Sequence, residues 1–386
     1  MASTPCGAKR TGLQEDGDFT MTNTLLKTPL HSIHVGMGAR MVEFAGWEMP
    51  VQFTGIVEEH HHTRTACSVF DVSHMGRLRI MGGDAEPFLN RICTRNLAGA
   101  EAGRSFYSHV CREDGGILDD VIVSRFTTHW GIVCNASNRD KIVAWLHKHA
   151  AGRDVQIVDE TMGTAMVACQ GPKTLDTAKE LTGNDLSTLK RYHFTVRDVG
   201  PLQIVTYRTG YTGEDGLEVV LPAALVPFLI SKLLGTKEQP HPVIKPAGLG
   251  ARDTLRIEAA MPLYGHELSE EVDSLTAGQA WCVDLSKDFI GVEPMRRLNE
   301  RGLPRKLVGL ELEGRRIARQ DFTVYGAGRA VGEITSGTLS PTLGKSIAMA
   351  FVAADVASEG TGLEVEVSGK RVPTKVVKLP FYKRPR

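Results

Sequence analysis

The stretch Gly115-Gly116-Ile117-Leu118-Asp119-Asp120 runs from a tight glycine turn into two adjacent carboxylates at the start of an apolar strand, Val121-Ile122-Val123. Adjacent residues of a strand point to opposite faces of a sheet. One carboxylate can therefore face solvent or cap the turn, while the other points inward. An inward carboxylate is costly to bury unless a partner compensates its charge. From this stretch alone, an aspartate that caps its own turn and an inward functional carboxylate remain equally good interpretations.

Composition limits the classes of protein to which the chain can belong. Its 386 residues exceed one ordinary core, so the length predicts two or three domains. Lys plus Arg and Asp plus Glu both number 45, so no net charge favours nucleic acid or an anionic membrane. No run approaches the roughly 18 consecutive apolar residues of a membrane helix. The seven cysteines are scattered without a C-x-x-C pair, which indicates a reducing compartment.

Residues 1–23 form a polar N-terminal segment without the apolar core of a secretory signal. Its basic residues, Lys9 and Arg10, are accompanied by acidic residues that transit peptides usually avoid. Met21 then opens a segment that resembles a normal start. We predict that residues 1–23 are a disordered extension, with a misplaced start codon as the alternative, rather than a targeting signal.

Helix and strand patterns alternate over residues 24–298, which predicts two interleaved α+β subdomains. Residues 57–66 are predicted to form a charged amphipathic helix, and residues 69–80 are predicted to be a strand. Residues 137–140 have the form of a capping box ahead of an apolar helix. Short strands broken by glycines then predict a β-barrel-like domain over residues 299–386.

Patterns that suggest other kinds of chemistry are weak. His60-His61-His62 lie on consecutive helix positions, point in different directions and cannot form one tetrahedral metal site. The pairs Gly36-x-Gly38 and Gly248-x-Gly250 lack the third glycine of a dinucleotide fingerprint. A Ser/His/Asp triad stays open, but there is no G-x-S-x-G elbow. We therefore predict that no metal is bound and that the chemistry depends on carboxylates and positioning.

Two further motifs each allow a structural and a functional interpretation. Residues 209–218, TGYTGEDGLE, form a glycine-punctuated turn that leads into a strand. Their plain interpretation is a hairpin with its acidic residues in solvent. Residues 248–256, GLGARDTLR, open a helix with Arg252 and Arg256 one turn apart. Their plain interpretation is a surface helix in which Arg256 pairs with the neighbouring aspartate. For each motif alone, the plain interpretation is favoured.

Six motifs in order resemble the glycine cleavage system T-protein family of aminomethyltransferases. They are FDVSHM at residues 70–75, the turn at 115–120, QGP at 170–172, GYTGEDG at 210–216, GLGARDTLR at 248–256 and SPTLG at 340–344. The resemblance extends over about residues 28–382. It implies an α+β fold of three domains, arranged like a cloverleaf around a tetrahydrofolate site, with a C-terminal β-barrel-like domain.

The resemblance also implies an activity, partners and site residues. Family members take the aminomethyl group from lipoylated H protein, release ammonia and pass the one-carbon unit to the co-substrate tetrahydrofolate, giving 5,10-methylenetetrahydrofolate. No metal, nucleic acid or membrane is expected, and the expected location is the cytoplasm, or the mitochondrial matrix in a eukaryotic source. By motif match, Asp120 is expected to be catalytic. The expected folate-site residues are Glu218, Arg252, Tyr107, Asn135 and Tyr382.

The chemistry of these residues suits the implied roles. A pterin edge offers two parallel N–H donors, which a carboxylate such as Glu218 accepts in bidentate fashion. A fixed anion such as Asp120 can stabilise positive charge on the transferred carbon and take part in proton transfer. Strand alternation then assigns Asp119 to the turn. Arg252 either supports the folate site or pairs with an acidic residue to hold its helix.

Two alternatives to glycine cleavage remain. The first is a folate-dependent demethylase, or the folate half of a sarcosine-type dehydrogenase, although this chain lacks the G-x-G-x-x-G fingerprint and extra length of a flavin domain. The second is a non-enzymatic folate-binding protein of iron–sulfur cluster assembly. Those relatives carry a cysteine-containing motif where this chain has Tyr211-Thr212-Gly213-Glu214.

Overall fold

Four β-sheets organise residues 24–235 and 239–385, the part of the chain that the computed structural model describes. The predicted N-terminal extension, residues 1–23, lies outside this part. Within the described ranges, none of the helices combines the length and the apolar character needed to cross a bilayer.

The first elements build a two-stranded and a five-stranded antiparallel sheet. In chain order they are α1 (His31–Gly36), β1 (Arg40–Phe44), β2 (Trp47–Gln52), α2 (Ile56–Thr65), β3 (Cys67–Asp71), β4 (Gly76–Met81), α3 (Ala85–Ile92), β5 (Arg104–Cys111), β6 (Ile117–Arg125), β7 (Trp130–Cys134), α4 (Arg139–Ala150) and β8 (Gln156–Asp159). The five-stranded sheet has the order β5-β6-β7-β4-β8. Its inner face packs against apolar side chains of α3 and α4, which fixes the position of the carboxylate-bearing strand β6.

The following elements build a six-stranded sheet and the helices around it. They are β9 (Thr164–Gln170), α5 (Thr174–Thr182), β10 (Phe194–Val199), β11 (Leu202–Tyr207), β12 (Gly216–Pro222), α6 (Val226–Leu234), β13 (Ile244–Pro246), α7 (Leu249–Glu258) and α8 (Val292–Arg301). The sheet order is β10-β11-β12-β9-β3-β13, and only the β3–β13 pair is parallel. Because β3 belongs to this sheet and β4 to the other, the two sheets are interleaved along the chain.

The last strands form a closed barrel. They are β14 (Arg305–Leu312), β15 (Thr323–Gly326), β16 (Arg329–Leu339), β17 (Ser346–Ala353), β18 (Gly362–Val367) and β19 (Lys370–Val377), paired in the order β14-β17-β16-β15-β18-β19. Valine, leucine and alanine side chains fill its interior. The C-terminal barrel predicted from the sequence is confirmed, whereas the predicted domain limit at residue 298 stays a prediction.

Two local predictions are wrong. Residues 69–80 are not one strand, because residues 72–75 carry the chain from the six-stranded sheet to the five-stranded one. Residues 137–140 do not form a capping box, since the N-cap residue of α4, Asn138, makes no side-chain cap. The Asn138 amide instead donates to the Asp119 carboxylate at 2.6 Å. In both places a contact distant in sequence replaces the local one.

Candidate active site

The turn before β6 depends on its glycines and on Asp114. Gly115 has a φ of +91°, a conformation that L side chains rarely adopt. A Cβ on Gly116 would lie 2.0 Å from the carbonyl oxygen of Glu270, so a close backbone approach requires glycine there. The Gly116 N–H donates to Asp114 Oδ1 at 3.1 Å. Asp114 therefore caps the turn, and the prediction that Asp119 serves this turn is wrong.

Asp119 is a buried acceptor that holds the segment after β7. It is fully buried and accepts the Asn135 backbone N–H at 2.9 Å and the Asn135 Nδ2 at 2.8 Å. With the amide of Asn138, it receives three N–H donors in total. Alternation along β6 does separate it from its neighbour, but the far side is covered by the β7–α4 connection rather than by the turn.

Asp120 is brought together with two of the other predicted site residues. Its Oδ2 accepts the Tyr107 hydroxyl at 3.1 Å, and its Oδ1 accepts the Asn135 Nδ2 at 2.7 Å. Tyr107 on β5 pairs with Ile122 on β6, so it lies diagonally from Asp120 on the same face. Asp120 is half-buried, and both of its oxygens are oriented by neighbours.

The two carboxylates have raised pKa values because they are buried side by side. Burial raises the pKa of Asp120 to about 6. Burial, together with the charge of Asp120, raises the pKa of Asp119 to about 8. Two neighbouring carboxylates in a poorly solvated place resist ionising together. A carboxyl with a pKa near neutrality is suited to exchanging protons during a reaction.

An exposed aromatic side chain that sequence reasoning missed lies against Tyr107, the hydrogen-bond partner of Asp120. The Trp281 ring is 53% exposed and stacks on Tyr107, with 5.2 Å between ring centroids and 19° between planes. The available signal was a tryptophan in a loop-rich stretch, where no core periodicity explains it. A flat, half-exposed indole stacked on a tyrosine is suited to binding a planar ring.

Glu218 and Arg252 form a second polar group. Glu218, on β12, is half-buried, and its Oε2 accepts the Thr209 hydroxyl at 2.5 Å. The Nη1 atom of Arg252 is buried and has no hydrogen-bond partner among the residues that the structure describes. Burial lowers the pKa of Arg252, and the negative charge of Glu218 opposes that effect. A buried donor without a partner is rare and costly, so a binding role for Arg252 stays a prediction that this contact pattern favours.

Tyr211 lies within range of both groups. The guanidinium of Arg252 is 4.7 Å from the centre of its ring, and its hydroxyl donates to the Pro262 carbonyl. Burial raises the pKa of Tyr211, and the charges of both Asp120 and Arg252 act on its hydroxyl. Tyr211 therefore contacts Arg252 and lies near enough to Asp120 for the charge of Asp120 to act on its hydroxyl.

Arg256, one turn after Arg252, is entirely structural. It is 1% exposed and donates to Asp253 at 2.8 Å, to Glu267 at 2.8 Å and to Ser336 at 2.7 Å. The bond to Ser336 fastens α7 to the barrel strand β16. The predicted pairing of Arg256 with its neighbouring aspartate is confirmed, whereas the helix is not on the surface at this point.

A buried ionic cluster around Arg64 includes residues of the motifs at residues 210–216 and 340–344. Arg64 donates to Glu214 Oε1 at 2.9 Å and to Glu258 Oε2 at 2.7 Å, and all three side chains are at most 5% exposed. The prediction that Glu214 lies in solvent is therefore wrong. Arg64 was missed because a single arginine in a charged helix has no sequence pattern that distinguishes it from a surface residue.

Tyr382 and His60 also belong to the Arg64 cluster. The Arg64 guanidinium lies 3.9 Å from the Tyr382 ring centre, and the Tyr382 N–H donates to the Glu258 carbonyl at 2.8 Å. His60 Nδ1 and Nε2 each lie 2.8 Å from a threonine hydroxyl, those of Thr254 and Thr342. A folate role for Tyr382 stays a prediction. Across residues 24–235 and 239–385, no three His, Cys, Asp or Glu side chains are grouped as metal ligands.

The fold and site together define the class of protein: two interleaved α+β units and a barrel, with a carboxylate-centred site suited to a polar, planar substrate. The chain belongs to the glycine cleavage T-protein family. Its residues 30–287 match the GCVT N-terminal domain, and residues 305–383 match the glycine cleavage T-protein C-terminal barrel domain.

Individual relatives agree with this assignment. The chain is 47% identical to the aminomethyltransferase of Rubrobacter xylanophilus over 365 residues, which cover 94% of this chain and 96% of the relative. It is 44% identical to that of Moorella thermoacetica over 364 residues, covering 94% and 99%. A crystal structure of glycine cleavage system aminomethyltransferase T from Bartonella henselae superposes with a TM-score of 0.87 at 31% identity, covering 94% and 99%. The predicted family and the predicted α+β fold are confirmed.

Proposed function

We propose that this chain is the aminomethyltransferase of a glycine cleavage system. It takes the aminomethyl group from lipoylated H protein, releases ammonia and gives 5,10-methylenetetrahydrofolate. The observation that carries the mechanism is Asp120, a half-buried carboxylate whose two oxygens are oriented by Tyr107 and Asn135 and whose pKa is raised by burial to about 6. We propose a cytoplasmic location for this reaction, with no membrane or nucleic acid involved.

The residues around Asp120 fit tetrahydrofolate as co-substrate. The buried, unpartnered Nη1 of Arg252 calls for an acceptor such as a ring carbonyl. Glu218, half-buried close to that guanidinium, suits the parallel N–H donors of a pterin edge. Trp281, stacked on Tyr107, offers a flat surface for a ring system.

Asp120 is placed to assist the transfer in two ways. Positive charge develops on the transferred carbon as ammonia leaves, and a preorganised anion beside it stabilises that charge. Two protons must also leave the folate nitrogens, one for the departing ammonia and one for the sulfur of the lipoyl arm. Asp120 can accept such a proton at a carboxylate oxygen, because its raised pKa lies close to the working pH.

The test is ammonia release from aminomethylated H protein, with and without tetrahydrofolate. We expect rapid, folate-dependent release that falls roughly 10²–10⁴-fold in Asp120→Asn. The matched control is Asp140→Asn, which removes a carboxylate whose side chain is 89% exposed. Demethylation of a free methylated amino acid, with no reaction on H protein, would instead identify a folate-dependent demethylase.

A further inference from the structure

A chain of hydrogen bonds connects the protein core to Asp120. His109 on β5 lies directly opposite Asp120 on β6 and is fully buried. Its Nδ1 is 2.7 Å from the Ser274 hydroxyl, and its Nε2 is 3.4 Å from the Tyr107 hydroxyl. The Tyr107 hydroxyl in turn donates to Asp120 at 3.1 Å. Ser274, His109 and Tyr107 thus form a single row that ends at the carboxylate.

Only one arrangement of protons satisfies this row when Asp120 is ionised. Tyr107 has one hydroxyl proton, which it donates to the carboxylate, so the proton between Tyr107 and His109 must be on Nε2. Burial lowers the pKa of His109 to about 3, which keeps the imidazole neutral with a single N–H. His109 Nδ1 is then an acceptor, and the Ser274 hydroxyl donates to it. Every bond in the row points toward Asp120.

We propose that His109 is a positioning residue for the transfer reaction, because its Ser274-fixed imidazole turns the Tyr107 hydroxyl toward Asp120. The inference rests on the proposed role of Asp120. Without the His109 N–H, the Tyr107 oxygen loses the donor that fixes its direction. Without Ser274, the imidazole can carry its proton on Nδ1, and Tyr107 can donate back to Nε2 and away from Asp120. A row of aligned hydrogen bonds also strengthens its last member.

The groups around Asp120 make its titration a usable signal. The titratable side chains that interact with it are Asp119 of its own strand, Tyr107 and His109 of β5, Tyr211 and Cys282. Burial raises the pKa of Cys282 to about 12 and raises those of both tyrosines, so these groups stay neutral near pH 7. A change in the titration of the carboxylate pair therefore reports the direction of the Tyr107 hydrogen bond.

The test measures how Asp120 titrates when the row is interrupted. The variants are His109→Leu, which removes the donor, Ser274→Ala, which frees the tautomer, and His109→Gln, whose amide can donate to Tyr107 and accept from Ser274. We expect the acid limb of the kcat/KM profile to move up by about 0.5–1 pH unit in the first two variants, since a donated hydrogen bond favours the ionised carboxylate. The limb should return toward that of the unmodified chain in His109→Gln, with the KM for folate within about two-fold throughout.

A Tyr107→Phe background separates positioning from packing. There the row no longer reaches Asp120, so His109→Leu and Ser274→Ala should cause no additional shift. Shifts of equal size in both backgrounds, or none in Ser274→Ala, would overturn the proposal. If His109→Leu does not fold, Ser274→Ala and His109→Gln still decide the question.

A direct titration of the Asp120 carboxyl tests the role of His109 without measuring turnover. The carboxyl carbon of Asp120, assigned by its loss in Asp120→Asn, can be followed by carbon-13 NMR with labelled aspartate. We expect the same upward shift of its pKa in Ser274→Ala. An unchanged pKa would refute the role of His109 even if the enzyme is active, whereas a shifted pKa in a protein inactive on H protein would refute only the proposed function.

Discussion

Asp120→Asn should inactivate the enzyme and at the same time stabilise the fold. The asparagine can keep the hydrogen bonds of Asp120, because its Oδ1 accepts from Asn135 and its amide donates to the Tyr107 oxygen. The Tyr107 hydroxyl then donates to His109 Nε2, and the Nδ1–H of His109 donates to Ser274, at the contacts already present. The row of hydrogen bonds reverses without loss, and the substitution removes only a buried charge.

The expected gain in the free energy of unfolding follows from the raised pKa of Asp120. Burial raises it from 3.8 to about 6, and each unit corresponds to about 1.4 kcal/mol, which gives an upper limit of about 3 kcal/mol. Asp120 is only half-buried and coupled to its neighbour, so we expect roughly 1–3 kcal/mol. The folded-state pKa is raised, so the native chain has this stability below about pH 4 and loses it as the pH rises through about 6.

Asp119→Asn is the matched control, since it removes the other carboxylate of the same pair. Its three partners are all N–H donors, one of them the backbone N–H of Asn135, which cannot reverse. Any orientation of the new amide therefore places its NH₂ against a donor. An unsatisfied buried donor costs about 1–3 kcal/mol. Asp119→Asn also removes a buried carboxylate whose pKa is raised to about 8, and the unsatisfied donor offsets part of that gain in stability. Its turnover should stay within an order of magnitude of the unmodified chain.

Urea unfolding at pH 8 and at pH 5 tests the predicted change in stability. Turnover at saturating folate and H protein tests the predicted loss of activity. Asp120→Asn should unfold at higher urea than the unmodified chain at pH 8, and the difference should shrink at pH 5, where the native carboxyl is largely protonated. For Asp120→Asn, lower stability than the unmodified chain at pH 8, or a difference in stability that does not depend on pH, would refute the reasoning.

Three further predictions concern the charged residues around the site. Glu218→Ala should weaken folate binding by ~1.5–3 kcal/mol in a calorimetric titration. Glu214→Ala should chiefly lower stability, because Glu214 is a buried partner of Arg64. A larger loss of folate affinity in Glu214→Ala than in Glu218→Ala would mean that the wrong carboxylate is assigned to the pterin. Arg252→Met should weaken folate binding with little loss of stability, because its Nη1 has no hydrogen-bond partner in the described chain. Arg256→Met should cost stability, because it removes four hydrogen bonds; equal melting temperatures for the two variants would contradict this. Arg64→Met should lower the free energy of unfolding by about 3–5 kcal/mol, because it leaves two buried carboxylates without their cation; a loss below 1 kcal/mol in urea unfolding would show that the cluster is solvated.

The sequence correctly predicted those features of the fold and the family that depend on hydrophobic periodicity and on the order of the motifs. The glycine-broken strands of the C-terminal barrel follow from local patterns and are confirmed. The motifs identified the family, since six spaced matches define one arrangement. Asp120 and Tyr107 share one face of the sheet, which agrees with alternation along β6, whereas Asp119 is the more buried of the two carboxylates. In each case the deciding information lies within a few residues of the chain.

What the sequence did not predict are the partners supplied by distant segments. Alternation places Asp119 on the other face of β6, but only the fold shows that the β7–α4 connection covers that face. Glu214 lies in a glycine-rich turn that is typical of solvent, yet it pairs with an arginine 150 positions away. Trp281 reaches Tyr107 across a similarly long separation. Burial of charged and aromatic side chains at such places is decided by packing between segments, which local patterns do not encode.

The Arg64 cluster should also keep the fold intact over the pH range in which the site titrates. Burial alone would raise the pKa of Glu258, but hydrogen bonds from His60, Ser340 and Arg64 lower it to about 2. Because this folded-state pKa is lowered, its contribution to stability is present above the unfolded value of 4.5 and is lost only as the pH falls through about 2.

Asp120, by contrast, has a pKa of about 6 and titrates well above that range. Activity lost between pH 7 and pH 5 should therefore return fully on neutralisation, with an unchanged far-ultraviolet circular dichroism spectrum at pH 5. Irreversible loss, or loss of the helical signal at pH 5, would show that acid acts on the ionic cluster rather than on Asp120. Because Asp120 and Glu258 titrate in separate pH ranges, the loss of activity between pH 7 and pH 5 can be assigned to the chemistry of the site rather than to unfolding.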